Sequence, residues 1–210
     1  MAGYLRDPAL IYEQSFATIR AEADLSRLPP ELHDVAIRMI HACGMVDLVD
    51  DIAGTAQVVA ATRAALKAGA PVLCDCEMVR AGIIARELPE GVETIVTLNA
   101  PNVAELAKLL GTTRSAAAVE LWRPKLDGAV VVIGNAPTAL FHLLDMLDDM
   151  KAPRPAAIIA APVGFVGAAE SKALLADSGL PMPFLTVRGR RGGSAIASAA
   201  FNAIAKGVRA

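Results

Sequence analysis

The sequence predicts an α/β fold: a doubly wound, largely parallel sheet of about five strands with helices on both faces and a helical segment in front of it. Three observations carry that expectation. Short apolar runs rich in Val, Ile and Leu recur from residue 71 onward, with no polar alternation inside them. Each is separated from the next by a stretch with helical spacing, which calls for right-handed crossovers. Between strand and helix lie turns rich in Gly, Pro, Asn and Arg.

The elements follow in order. The first fifty residues read as helical, and after Pro29-Pro30 the apolar positions Leu32, Val35, Ala36, Met39, Ile40 and Cys43 recur at three and four, with Gly44 as a stop. An Ala-rich helix spans Thr55 to Lys67, and a short buried strand runs from Pro71 to Cys74. The alternation continues with a helix near Glu77 to Glu87, a strand Thr94 to Leu98, and helices Pro101 to Leu110 and Arg114 to Leu121. Strands at Ala129 to Ile133, Ala156 to Ala160 and Phe184 to Val187 complete the sheet, alternating with helices at Pro137 to Met150, Ala168 to Asp177 and Ser194 to Lys206.

With 210 residues, 54% of them hydrophobic, and no shift of composition, the chain reads as one domain, residues 1–210, with 1–50 packed on the α/β core. The mean hydropathy of +0.45 raises the question of a membrane span. The most apolar stretch, Pro155 to Ala169, answers it: it falls short of the roughly 20 residues a spanning helix needs, and Pro162, Gly164 and Gly167 interrupt it. The apolar excess is assigned instead to strands buried on both faces and to a subunit interface. Arg6, Asp7 and Glu13 occupy the place of a secretory signal's apolar region, so a cytoplasmic location is expected.

Three cysteines, with Cys74-Asp75-Cys76 lacking the C-x-x-C spacing, point away from structural disulfides and a closed metal site. A net charge of −2 with one Trp, two Tyr and five Phe points away from a nucleic-acid surface. Arg outnumbers Lys fourteen to six, which suits carboxylate or phosphate recognition but is equally what a GC-rich genome produces.

Ligands of open parallel sheets bind outside the carboxyl ends of the strands. Those ends are Asp75-Cys76-Glu77, Asn99 to Asn102, Gly134 to Thr138, Pro162 to Gly167 and Arg188 to Ser194. Several lead into helix N-termini, where free N–H groups favour an anion. Gly134-Asn-Ala-Pro-Thr138 is either a ligand loop or an ordinary strand-to-helix turn; Arg188-Gly-Arg-Arg-Gly-Gly-Ser194 is either an anion site or a solvated basic loop. No dinucleotide or Walker fingerprint occurs. Among the histidines, His142 reads as a packing residue and His33 as solvated. His41, near the helix end, is either a site residue or a histidine favoured there by the helix dipole.

Taken together, these segments resemble the precorrin-8X methylmutase family over nearly the whole chain. The resemblance rests on Gly134 to Ala139, on Pro162 to Ala168 with Glu170-Ser-Lys172, and on Gly189 to Ser194, in that order. His41 before Gly44, Asp75 with Met78 and Gly82, and Thr113 to Ala117 support it. It implies a homodimeric isomerase that moves a methyl group from C11 to C12 of precorrin-8X, giving hydrogenobyrinic acid, with no cofactor and no methyl donor. The implied catalytic residue is His41. Implied substrate contacts are Ser15, Arg38, Asp75, Met78, Arg114, Ser115, Asn135, Ala136, Thr138, Gly164 and Phe165, followed by the loop residues Arg188, Arg190, Arg191, Gly192, Gly193 and Ser194. A cobalt-precorrin-8 substrate, a non-catalytic corrinoid carrier and a phosphate- or nucleotide-binding enzyme are the alternatives.

Overall fold

The computed structural model describes residues 4–209; Met1–Gly3 and Ala210, which the single-domain expectation includes, lie outside the described residues. Helix α1 (Pro8–Glu22) starts at Asp7, whose carboxylate accepts the N–H groups of Ala9 at 2.8 Å and Leu10 at 3.3 Å, with Pro8 as first helical residue. Helix α2 (His33–Cys43) ends on Gly44 in the left-handed conformation. Strand β1 (Ile52–Gly54), α3 (Gln57–Lys67), β2 (Val72–Cys74), α4 (Glu77–Gly82) and β3 (Thr94–Val96) follow. The chain continues through α5 (Val103–Leu109), α6 (Arg114–Glu120), β4 (Val130–Ile133) and α7 (Pro137–Asp148). It closes with β5 (Ala157–Ala160), α8 (Ala168–Asp177), β6 (Phe184–Val187) and α9 (Ser194–Ala205).

Six strands form one sheet in the order β1-β6-β5-β4-β2-β3, all parallel except β1, which runs against β6. Register explains the unbroken apolar runs. In β4, Val130 and Val132 face one core with α2, α3, α4 and α9, whereas Val131 and Ile133 face the other with α7 and Trp122. Both faces are covered, so polar alternation has no place in these strands. Strands β2 and β4 are neighbours although β3 comes between them in the chain. The connection therefore reverses direction there, and the carboxyl ends of β2 and β4 flank the topological switch point.

The doubly wound architecture is as expected, with two local corrections. The sheet has six strands rather than five, because β1 is three residues long and has no periodic signal; its pairing with β6 is what makes it a strand. The expected helix from Glu77 to Glu87 ends at Gly82. There the Asn202 side chain donates to the Gly82 carbonyl at 2.8 Å and accepts the Ile84 N–H at 2.9 Å, taking up groups a continuing helix would use. Among the described residues no helix is long and apolar enough to cross a membrane.

Candidate active site

A cleft of about 480 Å³ opens between α2, α4 and α9. Helix α2 presents Arg38, His41 and Ala42, one face at spacings of three and four, while Val35, Ile37, Met39 and Ile40 turn into the core. Met78 and Gly82, one turn apart, form the α4 wall. The third wall is α9, whose Ser194, Ala195, Ser198, Ala199 and Asn202 recur at one, three, one and three. Small side chains keep that helix surface low, which leaves width for a flat ligand.

His41 is held mostly from α1. Its Nδ1 lies 2.8 Å from the Ser15 hydroxyl oxygen. The Tyr12 and Phe16 rings each stand 5.3 Å from the imidazole, Phe16 edge-on, and the Arg38 guanidinium sits 5.5 Å from the Tyr12 ring centre. Tyr12, Ser15 and Phe16 share one face of α1, so a single turn of helix fixes the ring on two sides. Burial pushes the His41 pKa below its ordinary value, and the Arg38 charge adds to that. Engagement of Nδ1 leaves Nε2 as the nitrogen available to a ligand.

The switch point is occupied by a carboxylate of the protein. Asp75, 4% exposed, accepts the Gly134 N–H at 3.0 Å and the Asn135 and Ala136 N–H groups at 2.9 Å each. Its burial raises the carboxyl pKa, and the three N–H donors pull it back down. Farther along the strand ends, the Thr113 hydroxyl donates to the Thr138 hydroxyl at 2.8 Å. Arg114 donates to the Leu98 carbonyl at 3.2 Å and to Asn99 at 3.4 Å.

The loop between β6 and α9 has spent most of its charge internally. Arg188 pairs with Asp177 at 2.8 Å; Arg191 pairs with Asp47 at 2.7 Å and with Asp51 at 2.5 Å. The fully buried Lys172 donates to the Arg191 carbonyl, and burial brings its pKa down to about 8. Arg190 makes no ion pair among the described residues and lies 5.4 Å from the centre of the Phe165 ring, which is 83% exposed. The Gly164 N–H donates to the Arg190 carbonyl at 3.3 Å, tying the loops after β5 and β6 together. A Cβ on Gly192 would stand 2.3 Å from the Ala161 carbonyl oxygen, so only glycine passes there, and the Gly193 N–H donates to that oxygen at 2.7 Å.

The family model described as "Precorrin-8X methylmutase" matches residues 10–207. The chain belongs to the precorrin-8X methylmutase family. A protein from Pseudomonas aeruginosa named precorrin-8X methylmutase is 58% identical over 98% of each chain. One from Priestia megaterium named cobalt-precorrin-8 methylmutase is 35% identical, over 94% of this chain and 87% of that one. The crystal structure of the Thermus thermophilus precorrin-8X methylmutase superposes with a TM-score of 0.83 at 34% identity, covering 94% of both chains. The chain is accordingly an isomerase of the methylmutase type, acting in cobalamin biosynthesis.

Against this family background, the expected site residues divide into groups. His41, Arg38, Met78 and Ser194 share the cleft, and Ser15 joins it through His41. Asn135 and Ala136 both donate their backbone N–H groups to the Asp75 carboxylate, and Thr138 and Arg114 hold neighbouring turns. Ser115 is half-buried on α6. Gly164, Phe165, Arg188, Arg190, Arg191, Gly192 and Gly193 make up the paired loops after β5 and β6. Sequence reasoning missed Tyr12, Phe16 and the α9 face beyond Ser194. The signal available was Ser194, Ser198 and Asn202 at i, i+4 and i+8 within an otherwise Ala-rich helix. The other histidines read differently in the structure as well. His142 bonds Glu120 at 2.7 Å with a side chain 23% exposed, so it is not simply packed, and His33 Nε2 lies 3.1 Å from the Leu28 carbonyl oxygen rather than in solvent.

Proposed function

We propose that the whole chain, as one cytoplasmic domain working as a homodimer, moves the methyl group of precorrin-8X from C11 to C12 to give hydrogenobyrinic acid, with His41 as proton donor. One observation carries this reading: His41 stands in the wall of the cleft between α2, α4 and α9, clamped at Nδ1 by Ser15 and flanked by two aromatic rings. The C11–methyl bond breaks and the C12–methyl bond forms within one macrocycle, so the reaction needs no methyl donor and no net gain of atoms or electrons. The imidazolium Nε2–H protonates the conjugated ring during migration, and the ring returns that proton to Nε2 once the C12–methyl bond has formed, so the charge that develops is stabilised with no net change of protons. Ser15 serves both protonation states, since its hydroxyl oxygen accepts from Nδ1–H in the imidazolium and still does so in the neutral tautomer left after Nε2 has given up its proton.

The lowered His41 pKa makes the imidazolium the stronger acid. The wall formed by α9 offers a low surface of Ala195 and Ala199 interleaved with Ser194, Ser198 and Asn202 for the ring face, and Arg190 offers a cation for a peripheral carboxylate. The metal-free substrate is favoured over the cobalt-bearing one by the higher identity to a relative named for precorrin-8X. Mixing the purified chain with precorrin-8X and following the absorption spectrum tests the reading. Conversion without S-adenosylmethionine or added metal is expected; binding without spectral change would mark a carrier. Faster turnover of the cobalt-containing ring would replace the metal-free substrate. Sedimentation of an active monomer would remove the dimer.

A further inference from the structure

In parallel α/β sheets the switch point is where a ligand's anion usually meets backbone N–H groups. Here three successive N–H donors, from Gly134, Asn135 and Ala136, converge on the carboxylate of Asp75 instead. Both oxygens are engaged and only 4% of the residue is exposed, which leaves no face for a substrate contact. The turn held this way leans on the cleft. A Cβ on Gly134 would lie 2.8 Å from the Ser194 Cα and 2.8 Å from a Val79 methyl carbon, so the β4 turn packs directly against the backbone of α9 and the Val79 side chain of α4. The residue after Asp75 joins the same junction, with the Cys76 thiol 3.6 Å from the Ser194 hydroxyl. Ser194 and Met78, carried by those two helices, line the cleft together with His41.

We propose that Asp75 is a positioning residue that supplies the switch-point anion from within the chain, and so fixes the α4 and α9 walls at the distance from His41 that turnover requires. The effect on turnover rests on the methylmutase reading; the anion cradle does not. Asp75→Ala leaves three N–H donors around a space shaped for a carboxylate, and formate carries the same two oxygens. The experiment follows thermal unfolding and turnover of the full-length Asp75→Ala protein across a formate titration at constant ionic strength.

The variant is expected to unfold at lower temperature and to lose up to about 10²-fold in kcat, the scale of a misplacement near 1 Å, with KM changed far less. Formate should raise the unfolding temperature and restore kcat along one saturation curve, leaving the parent protein unaffected. A second variant, Asp75→Asn, keeps an oxygen for Asn135 and Ala136 and turns an amide NH2 toward Gly134, so a partial loss of kcat without a formate response is expected. Parental stability and kcat with a raised KM in either variant would overturn the proposal in favour of a direct substrate contact. So would an Asp75→Ala protein that formate neither stabilises nor reactivates. If Asp75→Ala does not fold, Asp75→Asn decides by whether kcat or KM moves. Failure of the methylmutase reading appears separately, as an inactive parent protein, while formate still shifts the unfolding of Asp75→Ala.

Discussion

The His41 wall and the loop between β6 and α9 invert what their compositions promise. The loop packs three arginines and three glycines into the seven residues from Arg188 to Ser194, yet Arg188 and Arg191 are spent on Asp177, Asp47 and Asp51. The wall carries one histidine and one arginine among apolar and small residues, yet its imidazole faces the cleft with a nitrogen free. Charge density along a chain therefore does not locate a charged site. What decides is whether a partner carboxylate folds onto each cation, and Asp47 and Asp51 arrive from a segment about 140 residues earlier, just before β1.

The sharpest way to break this comparison is His41→Ala. A positioned acid contributes about 10² to 10⁴ in rate, so turnover should fall by that factor while binding of hydrogenobyrinic acid largely survives. Nearly parental turnover would move the chemistry out of the α2 wall. The loop is tested next by replacing its arginines one at a time. Arg191→Ala should cost about 1–3 kcal/mol of stability in denaturant unfolding, because Asp51 loses two charge-assisted bonds; the partial exposure of the pair places the result toward the low end. Arg190→Ala should leave stability within about 1 kcal/mol, the scale of an exposed cation–π contact, while weakening corrinoid binding and flattening its salt dependence. If the two variants exchange these effects, the division of labour inside the loop is wrong.

Smaller changes sharpen the His41 side. Ser15→Ala removes the Nδ1 partner, and a net hydrogen bond of about 0.5–1.5 kcal/mol corresponds to a drop of roughly two- to tenfold in kcat. Ser15→Thr should restore most of it. In the parent protein, turnover should be full at low pH and decline as pH rises through a pKa below 6.5, since burial and Arg38 both disfavour the imidazolium. Replacing Arg38 by Gln should move that midpoint toward higher pH. A midpoint that stays put would remove Arg38 from the electrostatics of the site.

The α/β class, the largely parallel pairing and most element boundaries are legible in the sequence. Those rest on local signals: Val-Ile runs long enough to be buried on both faces, and glycine or proline at their ends. Helix α8 and strand β6 begin and end where the pattern places them. The family, too, was readable, because its glycine-bearing turns stand in a fixed order along the chain.

What only the tertiary structure decided is which polar groups are spent and which are free. The hydroxyl that holds His41 comes from Ser15 on α1, 26 residues away, and the Asp75 cradle from residues about 60 positions later. Strand β1 exists because β6 lies beside it, and α4 stops because Asn202 claims its last carbonyl. Propensity and periodicity act over a few residues, whereas pairing of charges and satisfaction of buried N–H groups are set by neighbours in space. For that reason the same arginine-rich segment reads as three available cations in one dimension, whereas in three dimensions Arg188 and Arg191 are paired with carboxylates and Arg190 is not.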